Sequence, residues 1–464
     1  MPDAIGTAER PLRVAIFGSG PAGFYACEEL LKQDAVRATV DLFDRLPTPY
    51  GLVRGGVAPD HQKIKSVIRL YERTAGREGF RFFGNVSFGG DLTLEDVLAH
   101  YHLVLFSTGA ETDRRMGIPG EDLAGSFPAT EFVGWYNGHP DYRHLEFDLS
   151  AESVAVVGIG NVAMDVTRIL ARPLKELAQT DIADYALDAL SRSRVRTIYL
   201  LGRRGPAQAA FTNPEIRELT QIEGCDLVLR PRDLELNELD REWLASVKEP
   251  TYQRNVDILA AHATKGEGSQ ERKIRAWFFA SPLEVLGGSR VEGLRLERNV
   301  LVKDERGNLR AKGTGESEEI PVQLVFRSIG YKGVALPGLP FDERGGVIPN
   351  ADGRVLDAPG GKPLPRVYVA GWIKRGPSGV IGTNKPDAIA TVERMLEDVP
   401  GLQAPAELHS EPEALPALLS SRGVRFVTFA DWKRLDALEV ERGQKLGKPR
   451  DKFTRVEDML KALD

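Results

Sequence analysis

Short apolar runs and amphipathic stretches alternate near the start of the chain. An apolar run over Val14–Phe17 predicts a buried strand, and a helical pattern follows over Ala22–Lys32. A second apolar run, Thr39–Phe43, predicts another strand and ends on Asp44. This order of strand, helix and strand indicates an α/β domain.

The same pattern restarts in the middle of the chain. Ser153–Val157 predicts a strand, Met164–Ala171 a helix and Thr197–Leu201 the second strand, with a polar helical insertion over about 173–190. The fold class predicted by the two patterns is therefore α/β, with two Rossmann-like domains, the second nested within the first.

The remaining patterns complete these units. Helices are predicted over His61–Thr74, Leu94–His100, 230–270 and 385–397, and strands over Phe80–Val86, Leu103–Phe106 and Val367–Trp372. Three runs predict antiparallel strands that cover the second domain: Ala276–Phe279, Val291–Leu296 and Glu319–Val325. Residues 45–59 predict an extended loop near the first glycine-rich turn, and the tail from Ala414 predicts one strand, Val424–Phe429, and two short helices docked on the first domain.

The stretch Gly18-Ser19-Gly20-Pro21-Ala22-Gly23 lies between the first predicted strand and helix. Gly18 permits a tight turn, Gly20 lets the backbone approach a pyrophosphate, and Gly23 lets the helix pack close to the strand. The N–H groups and dipole of the helix N-terminus favour phosphates. Asp44, 26 residues after Gly18, is near the spacing of an acid that binds a ribose. The stretch predicts a dinucleotide site; an ordinary glycine-rich turn is the alternative.

The second unit reads Gly158-Ile159-Gly160-Asn161-Val162-Ala163, and its second strand is followed by Arg203 and Arg204 where the first unit has an acid. Paired arginines bind a 2′-phosphate through charge-assisted hydrogen bonds, whereas an acid repels it. The second site is therefore predicted to bind NADP, unless these arginines are merely solvated, and the first site suits the ADP half of FAD. Two such sites in tandem suggest hydride exchange between nicotinamide and flavin.

Composition narrows the function classes. The 464 residues carry a net charge of −6, so no bulk basic field favours nucleic acid. The two cysteines, Cys27 and Cys225, form no CxxC, and the 7 histidines show no ligand spacing, so we expect neither a redox disulfide nor a metal. No apolar run approaches the ~18 residues of a membrane span. The first residues lack an apolar signal core, and we expect a cytoplasmic protein that acts as a monomer.

Several stretches together resemble ferredoxin–NADP reductases of the adrenodoxin reductase type, within the glutathione-reductase-like flavoproteins. They are GSGPAGFYAC, PTPYGLVRGGVAPDHQKIK, STGA, VVGIGNVAMDVTRIL, GRRGPAQAAFTNPEIREL, FRSIGYKG and GWIKRGPSGVIGTNKPDA. The resemblance implies NADPH oxidation, FAD as the converter of two-electron to one-electron transfer, and a ferredoxin as acceptor. The chain departs from the family at Asp44, where Glu is common, and at Asn213-Pro214 before Glu215.

The resemblance also implies site residues. FAD would be held around Ala22, Asp44, Leu52, Val86, Trp372, Gly379, Val380 and Ile381. NADP would be held by Gly158, Ile159, Gly160, Asn161, Arg203, Arg204, Glu215 and Gly379. His61, with Glu215 and Asp165 as partners, would orient the nicotinamide or relay a proton; a structural role at a helix start is the alternative. We expect an FAD-binding domain over 1–113 and 326–410, an NADP-binding domain over 114–325 and a C-terminal extension over 411–464.

Two other enzyme classes share these features: an NADPH-dependent electron-supply subunit, which would normally carry cysteine-rich iron–sulfur motifs, and a flavin monooxygenase. A non-enzymatic flavin-binding scaffold is a further alternative. Docking of an acidic ferredoxin requires a local basic face on this acidic chain. Two rows are candidates: Lys65, Arg69 and Arg73 at four-residue spacing, and Arg192, Arg194 and Arg196.

Overall fold

The computed structural model describes residues 5–402, 408–409 and 411–464. The strands are β1 (Leu12–Phe17), β2 (Ala38–Phe43), β3 (Phe80–Phe83), β4 (Leu103–Phe106), β5 (Thr112–Asp113), β6 (Ser126–Pro128), β7 (Ser153–Val157), β8 (Thr197–Leu201), β9 (Cys225–Leu229), β10 (Arg272–Trp277), β11 (Ala280–Leu286), β12 (Gly293–Lys303), β13 (Leu309–Ile320), β14 (Leu324–Arg327), β15 (Tyr331–Lys332), β16 (Asn350–Ala351), β17 (Arg354–Leu356) and β18 (Pro363–Val369).

The helices are α1 (Pro21–Leu31), α2 (Leu52–Gly55), α3 (Gln62–Lys65), α4 (Ile68–Ala75), α5 (Leu94–His100), α6 (Ala129–Tyr136), α7 (Asn161–Ala171), α8 (Leu174–Leu177), α9 (Asp184–Ser191), α10 (Asn213–Leu219), α11 (Glu238–Ser246), α12 (Pro250–Ala263), α13 (Trp372–Arg375), α14 (Asn384–Asp398), α15 (Ala414–Ser421), α16 (Phe429–Lys445) and α17 (Val456–Lys461).

The first sheet has the strand order β16-β17-β18-β4-β1-β2-β3. Its centre is parallel: Val14 of β1 lies opposite Val40 of β2 and Leu103 of β4. β1 and β4 are buried along their whole length, as expected for strands covered on both faces. The sheet takes strands from both sides of the second unit in the sequence, because β18 pairs parallel with β4.

The second sheet has the order β6-β14-β7-β8-β10-β9 and is parallel at each described pairing. A smaller antiparallel sheet, β11-β12-β13, packs against it through Leu294 and Leu296, which contact Val157 and Leu201 in one apolar cluster. The second unit is thus inserted between the two parts of the first, and the predicted fold class is confirmed.

Two predictions about the second unit are wrong. Of the run Ala276–Phe279, only Ala276 and Trp277 lie in a strand, β10, which is parallel to β8 and β9 rather than part of an antiparallel cover. The run Glu319–Val325 contains the end of β13 and the start of β14, and β14 is parallel to β6 and β7. A short buried apolar run does not reveal its direction, which depends on distant partners. The predicted boundary between 325 and 326 falls inside β14, a strand of the second sheet. The chain passes between the units at β5 and β15, which pair with each other.

Local predictions also need correction. The loop over 45–59 contains the one-turn helix α2, and the helix predicted over His61–Thr74 is split into α3 and α4. The run Val424–Phe429 contributes only a bridge between Val427 and Gly84 and is followed by the long helix α16. As predicted, this tail docks on the first unit, where Trp432 is buried and its indole N–H donates to the Tyr50 hydroxyl at 3.3 Å.

Within the described residues, no helix combines the length and the apolar character that a membrane crossing requires. The longest amphipathic element of the tail, α16, lies on the protein instead, with Trp432 and Leu435 buried in the core of the first unit.

Candidate functional site

The first glycine-rich turn is closely packed on one side and open on the other. Gly18 has a positive φ of +104°, and a Cβ there would lie 2.5 Å from the Ser107 carbonyl oxygen. A Cβ on Gly23 would collide with the Gly18 carbonyl. At Gly20, by contrast, a Cβ would meet no described atom within 4 Å. The glycines therefore keep an open space directly before α1.

The N-terminus of α1 borders that space. Its first turn has neither a side-chain cap nor an acid, so its N–H groups are available to an anion. The loop after β2 lies beside it: the Tyr50 N–H donates to the Ser19 carbonyl at 3.0 Å, and a Cβ on Gly51 would lie 3.0 Å from Gly20. Leu52, at the start of α2, is 39% exposed.

Asp44 braces the same turn. Its Oδ2 accepts from the Ser19 N–H at 3.1 Å and the Ser19 hydroxyl at 2.5 Å, and its Oδ1 accepts from the Leu46 N–H at 3.0 Å. Burial raises the pKa of Asp44, and these hydrogen bonds oppose the rise. A carboxylate has about four acceptor positions, so Asp44 can also accept from a further donor. Val86 is 1% exposed, and its N–H donates to the Asp44 carbonyl at 2.9 Å.

The second glycine turn has the same design. Gly158 has φ +131°, and a Cβ there would collide with the Ser328 carbonyl, whereas Gly160 is open and α7 carries no side-chain cap. Asn161 accepts from the Thr212 N–H at 2.9 Å, which ties the turn to the start of α10. Ile159 packs against Gly202 at the end of β8.

Arg203 and Arg204 follow β8 and lie, like the second glycine-rich turn, at the carboxyl ends of the strands of the second sheet. Their carbonyls accept from the Asn299 side chain at 2.8 Å and the Phe279 N–H at 3.2 Å, so the backbone is held. Arg203 is exposed and Arg204 half-buried, and neither guanidinium has a carboxylate within 4.0 Å among the described residues. Burial, together with the charge of Arg203, lowers the pKa of Arg204. Two adjacent cations without a described carboxylate partner could bind an anion.

The end of the last strand meets the first turn. A Cβ on Gly371 would lie 2.7 Å from the Ala22 side chain, and the Gly371 N–H donates to Asp387 at 2.6 Å. Trp372 is half-buried, with its ring centroid 5.7 Å from that of Tyr331. Its indole N–H donates to the Ser378 carbonyl at 3.2 Å, which shapes the segment leading to Gly379.

The segment Gly379-Val380-Ile381 precedes α14. Gly379 has φ +79°, and the Val380 carbonyl accepts from the Thr383 N–H at 3.0 Å. Val380 is 51% exposed. An exposed valine here and an exposed leucine at Leu52 leave apolar surface at two of the positions implied for the flavin.

A buried charge cluster joins the two units. The Arg168 side chain is 0% exposed, and its guanidinium donates to Asp60 at 2.6 Å, Asp165 at 2.5 Å and Glu215 at 2.6 Å, with Glu218 at 3.5 Å. Asp60 comes from the first unit, Asp165 from α7 and the two glutamates from α10. Carboxylates grouped in this way can bind a metal ion, but here the Arg168 guanidinium supplies the positive charge between them.

His61 lies against this cluster. Its Nδ1 is 3.8 Å from Asp165 and 3.7 Å from Glu215, and its Nε2 is 3.2 Å from Glu218. Burial lowers the pKa of His61, but the bond to Glu218 and the charges of Glu215 and Asp165 outweigh it and raise the pKa. Burial raises the pKa of Glu215 to about 7 against the charge of Arg168, and burial also raises the pKa of Asp165.

The structure brings the predicted residues His61, Asp165 and Glu215 together and adds Arg168 and Glu218, which were not predicted from the sequence. One signal was available: Asp165 and Arg168, like Glu215 and Glu218, are three residues apart and share a helix face. The structure contradicts one basic row. Lys65 is buried and binds Asp181 at 2.7 Å, on a helix separate from that of Arg69 and Arg73.

Two sheets, the first with a parallel centre and the second parallel, each carry a glycine-rich turn that leads into an uncapped helix. This arrangement defines a protein with two dinucleotide-binding domains of the glutathione-reductase type. A scan against protein-family models found no match. The chain is 44% identical over 460 residues to the NADPH-ferredoxin reductase FprA of Mycobacterium tuberculosis (strain ATCC 25618 / H37Rv), covering 97% of this chain and 99% of that protein. It is 44% identical over 469 residues to the mitochondrial NADPH:adrenodoxin oxidoreductase of Homo sapiens, covering 98% and 93%.

A solved structure of Mycobacterium tuberculosis FprA in complex with NADPH matches the fold with a TM-score of 0.92 at 43% identity, covering 98% of this chain and 100% of that one. The chain therefore belongs to the family of NADPH-ferredoxin and NADPH:adrenodoxin reductases, as the resemblance implied.

Proposed function

We propose that this chain is an NADP-dependent flavoprotein, a ferredoxin–NADP reductase (EC 1.18.1.-), that passes electrons from NADPH to a ferredoxin-type iron–sulfur protein. The proposal is carried by the pair of open glycine-rich turns. In the part of the chain that the structure describes, the second turn is followed by two arginines without a carboxylate partner, whereas the first is followed by Asp44. Family membership agrees with it, since the two relatives named above carry ferredoxin and adrenodoxin in their names.

The residues fit FAD at the first turn, where the space over Gly20 and the uncapped N-terminus of α1 suit a pyrophosphate. The residues proposed to hold FAD are Gly18, Gly20, Ala22, Gly23, Asp44, Leu52, Val86, Trp372, Gly379, Val380 and Ile381. Val86 could contribute only its backbone, because its side chain is buried in the core. When bound, FAD accepts a hydride from NADPH and releases electrons one at a time.

The residues proposed to hold NADP are Gly158, Ile159, Gly160, Asn161, Arg203, Arg204, Glu215 and Gly379. The arginine pair would bind the 2′-phosphate through charge-assisted bonds, and Asn161 would keep the turn and α10 in register. His61, Glu215 and Asp165 are proposed as the catalytic group near the nicotinamide. His61 can hold a proton at Nε2 that it donates to Glu218, while its Nδ1 faces Asp165 and Glu215.

The test is NADPH-driven cytochrome c reduction with candidate ferredoxins added singly. We expect reduction that depends on both the chain and a ferredoxin. Oxygen consumption that depends on a small organic substrate would instead support the monooxygenase alternative. A protein that is not yellow, or not bleached by NADPH, would support a scaffold.

Two further features remain our proposals. We propose a monomeric state, which light scattering of the purified protein would check. The mass of a dimer at micromolar protein concentration would overturn it. A cytoplasmic location would be checked by fractionation of the source cells, where recovery in an organelle or membrane fraction would overturn it.

A further inference from the structure

Arg168 is the point at which three separate chain segments meet. It extends from α7 and binds Asp60 of the loop before α3, Asp165 of its own helix and Glu215 of α10. The two edges of the guanidinium are used differently: Nε and Nη2 bind Asp60, whereas Nη1 binds Glu215. A planar guanidinium can make such divergent bonds at once, which a lysine ammonium cannot reproduce.

The same guanidinium reaches His61. Its Nη2 lies 3.5 Å from His61 Nδ1, and the two carboxylates that it binds, Asp165 and Glu215, flank that nitrogen at 3.8 and 3.7 Å. The positions of both carboxylates relative to the imidazole are thus set by Arg168. A fully buried cation beside a histidine also opposes protonation of the ring.

We propose that Arg168 is a positioning residue that holds Asp165 and Glu215 on His61 and sets how many protons the cluster carries at neutral pH. The inference rests on the proposed function, because it assigns the cluster a part in handling the proton near the nicotinamide. Arg168 itself is not a catalytic residue, since each of its three side-chain nitrogens donates to a carboxylate.

The charge balance supports this assignment. Among the described residues, the ionisable groups that face the cluster are Asp60 and His61 of the loop, Lys65 of α3, Tyr136 of α6, Asp165 of α7, Arg172 directly after α7, Glu215 and Glu218 of α10, and Tyr331 of β15. Burial raises the pKa of both tyrosines, so they stay neutral, and Lys65 is bound to Asp181. Four carboxylates therefore face the two arginines and the imidazole. Removal of one arginine leaves the cluster more negative and so raises its affinity for each proton that it binds.

The test is a pH titration of His61 in the holoenzyme, monitored by NMR of isotope-labelled histidine rings. The His61 signal is identified as the one that disappears in His61→Gln. In Arg168→Gln the apparent midpoint of the cluster should move to higher pH by roughly 1 to 3 units, the size expected for a charge within about 4–6 Å. The pH profile of flavin bleaching by NADPH should move in the same direction. A folded Arg168→Gln whose midpoints stay within about 0.3 unit of wild type overturns the proposal, because such shifts are below those expected of a close charge.

The matched control is Arg172→Gln, one helical turn away. Arg172 is 3.3 Å from Asp60 and 3.6 Å from Glu218, and it has no described ion pair with Asp165 or Glu215. Its loss should shift the midpoint by less than half as much. If Arg172→Gln shifts the midpoint as much as Arg168→Gln does, any nearby cation would have the same effect. That result would overturn the proposal that Arg168 is the positioning residue.

Arg168→Lys separates charge from geometry. It should keep the midpoint near that of wild type while the rate of bleaching falls, because one ammonium cannot bind all three carboxylates. If Arg168→Gln does not fold, Asp60→Asn carries the test: it removes a negative charge and must lower the midpoint, and an unchanged midpoint overturns the proposal. Ferredoxin-dependent cytochrome c reduction by wild type is measured separately, and its absence would reject the proposed function while leaving the His61 titration interpretable.

Discussion

Three arginines show how burial decides what one residue type does. Arg168 is enclosed by carboxylates at 2.5–2.6 Å, whereas Arg203 and Arg204 stand at the edge of the second sheet with no described carboxylate partner. A buried cation without such partners would be very costly, so Arg168 is a structural and electrostatic centre. An unpaired cation at the surface remains available to a ligand.

The arginine pair should determine the choice of coenzyme. Replacement by Arg203→Ala with Arg204→Ala should raise KM for NADPH sharply and leave KM for NADH nearly unchanged, because only NADPH carries the 2′-phosphate. Each lost charge-assisted bond is worth roughly 1.5–3 kcal/mol. Steady-state kinetics with both coenzymes measure the effect.

Arg196→Ala is the matched control, since Arg196 lies just before β8 and is already paired with Glu271 at 2.5 Å. It should leave both constants unchanged. Equal weakening of NADPH and NADH binding in the double variant would contradict the assignment.

His61 should affect the rate and not the fold. His61→Ala removes the imidazole that lies between Glu218 and the Asp165–Glu215 pair, so bleaching of the flavin by NADPH should slow in stopped flow. Flavin content should stay at the wild-type level. An unchanged rate would support the alternative, in which His61 is a structural residue at the start of α3.

At the level of the elements, the two glycine-rich turns differ at the position of the third glycine. A Cβ on Gly23 would collide with the Gly18 carbonyl, but the second turn carries Ala163 at the same place, fully buried. The two helices therefore do not pack against their strands in the same way. Gly20 and Gly160, in contrast, are both open.

Substitutions at the first turn should separate folding from cofactor binding. Gly23→Ala forces a backbone shift and should lower stability by roughly 1–3 kcal/mol, as overpacking does. Gly20→Ala should leave stability nearly unchanged but weaken FAD binding, because its methyl group enters the open space. Thermal unfolding of the flavin-free protein and the flavin content of each variant measure the two effects. A Gly20→Ala protein with full flavin content would contradict the proposed pyrophosphate position.

Much of this organisation could be predicted from sequence because its signals are local. The glycine spacing, the strand ends and the contrast between Asp44 and Arg203-Arg204 each lie within a few residues. The direction of β10 and the environment of Arg168 could not be predicted, because they depend on residues far away in sequence: Arg168 binds Asp60 and Glu215, 108 and 47 residues distant. The prediction of a basic row that includes Lys65 was wrong for a similar reason, because Lys65 forms a buried ion pair with Asp181, which is distant in sequence.

The helix α4 keeps a basic face without Lys65. Arg69 and Arg73 of α4 are exposed and have no carboxylate partner among the described residues, whereas Arg192 and Arg194 pair with Asp188 and Glu152. Arg69→Glu with Arg73→Glu should lower the ferredoxin-dependent rate and flatten its salt dependence, because docking of an acidic partner is electrostatic.

The control reverses the same number of charges elsewhere, as Arg192→Glu with Arg194→Glu, and should have the smaller effect. NADPH-driven reduction of a small uncharged acceptor should be the same in both variants. If that reaction falls together with the ferredoxin-dependent one, α4 supports the structure of the enzyme and the docking face lies elsewhere.

At the scale of the whole molecule, one carboxylate holds both units and the tail. Asp181 of the second unit binds Lys65 of the first at 2.7 Å and Lys452 of the tail at 3.2 Å. One carboxylate cannot compensate two buried ammonium groups fully. Burial therefore lowers the pKa of Lys452 to about 7, although Asp181 opposes this.

This junction should appear in the pH dependence of stability. Between pH 7 and the ordinary lysine value of about 10.4, the unfolded chain binds a proton at Lys452 that the folded chain does not, so folding gains stability as pH rises. From pH 7 to 9 the free energy of unfolding of wild type should rise by up to about 1.4 kcal/mol per pH unit relative to Lys452→Met. Urea unfolding at each pH measures this, and parallel curves would show that Lys452 stays charged.

Electrons should pass from NADPH through this one chain to an iron–sulfur protein. The most direct measurement is an anaerobic two-step mixing experiment on the purified yellow protein, in which NADPH is added first and an oxidised ferredoxin second, while the flavin and ferredoxin spectra are recorded. We expect NADPH to bleach about one flavin per chain, and the flavin colour then to recover as two single-electron ferredoxins are reduced. A flavin that NADPH does not bleach, or one that recovers only when oxygen and an organic substrate are admitted, would contradict it.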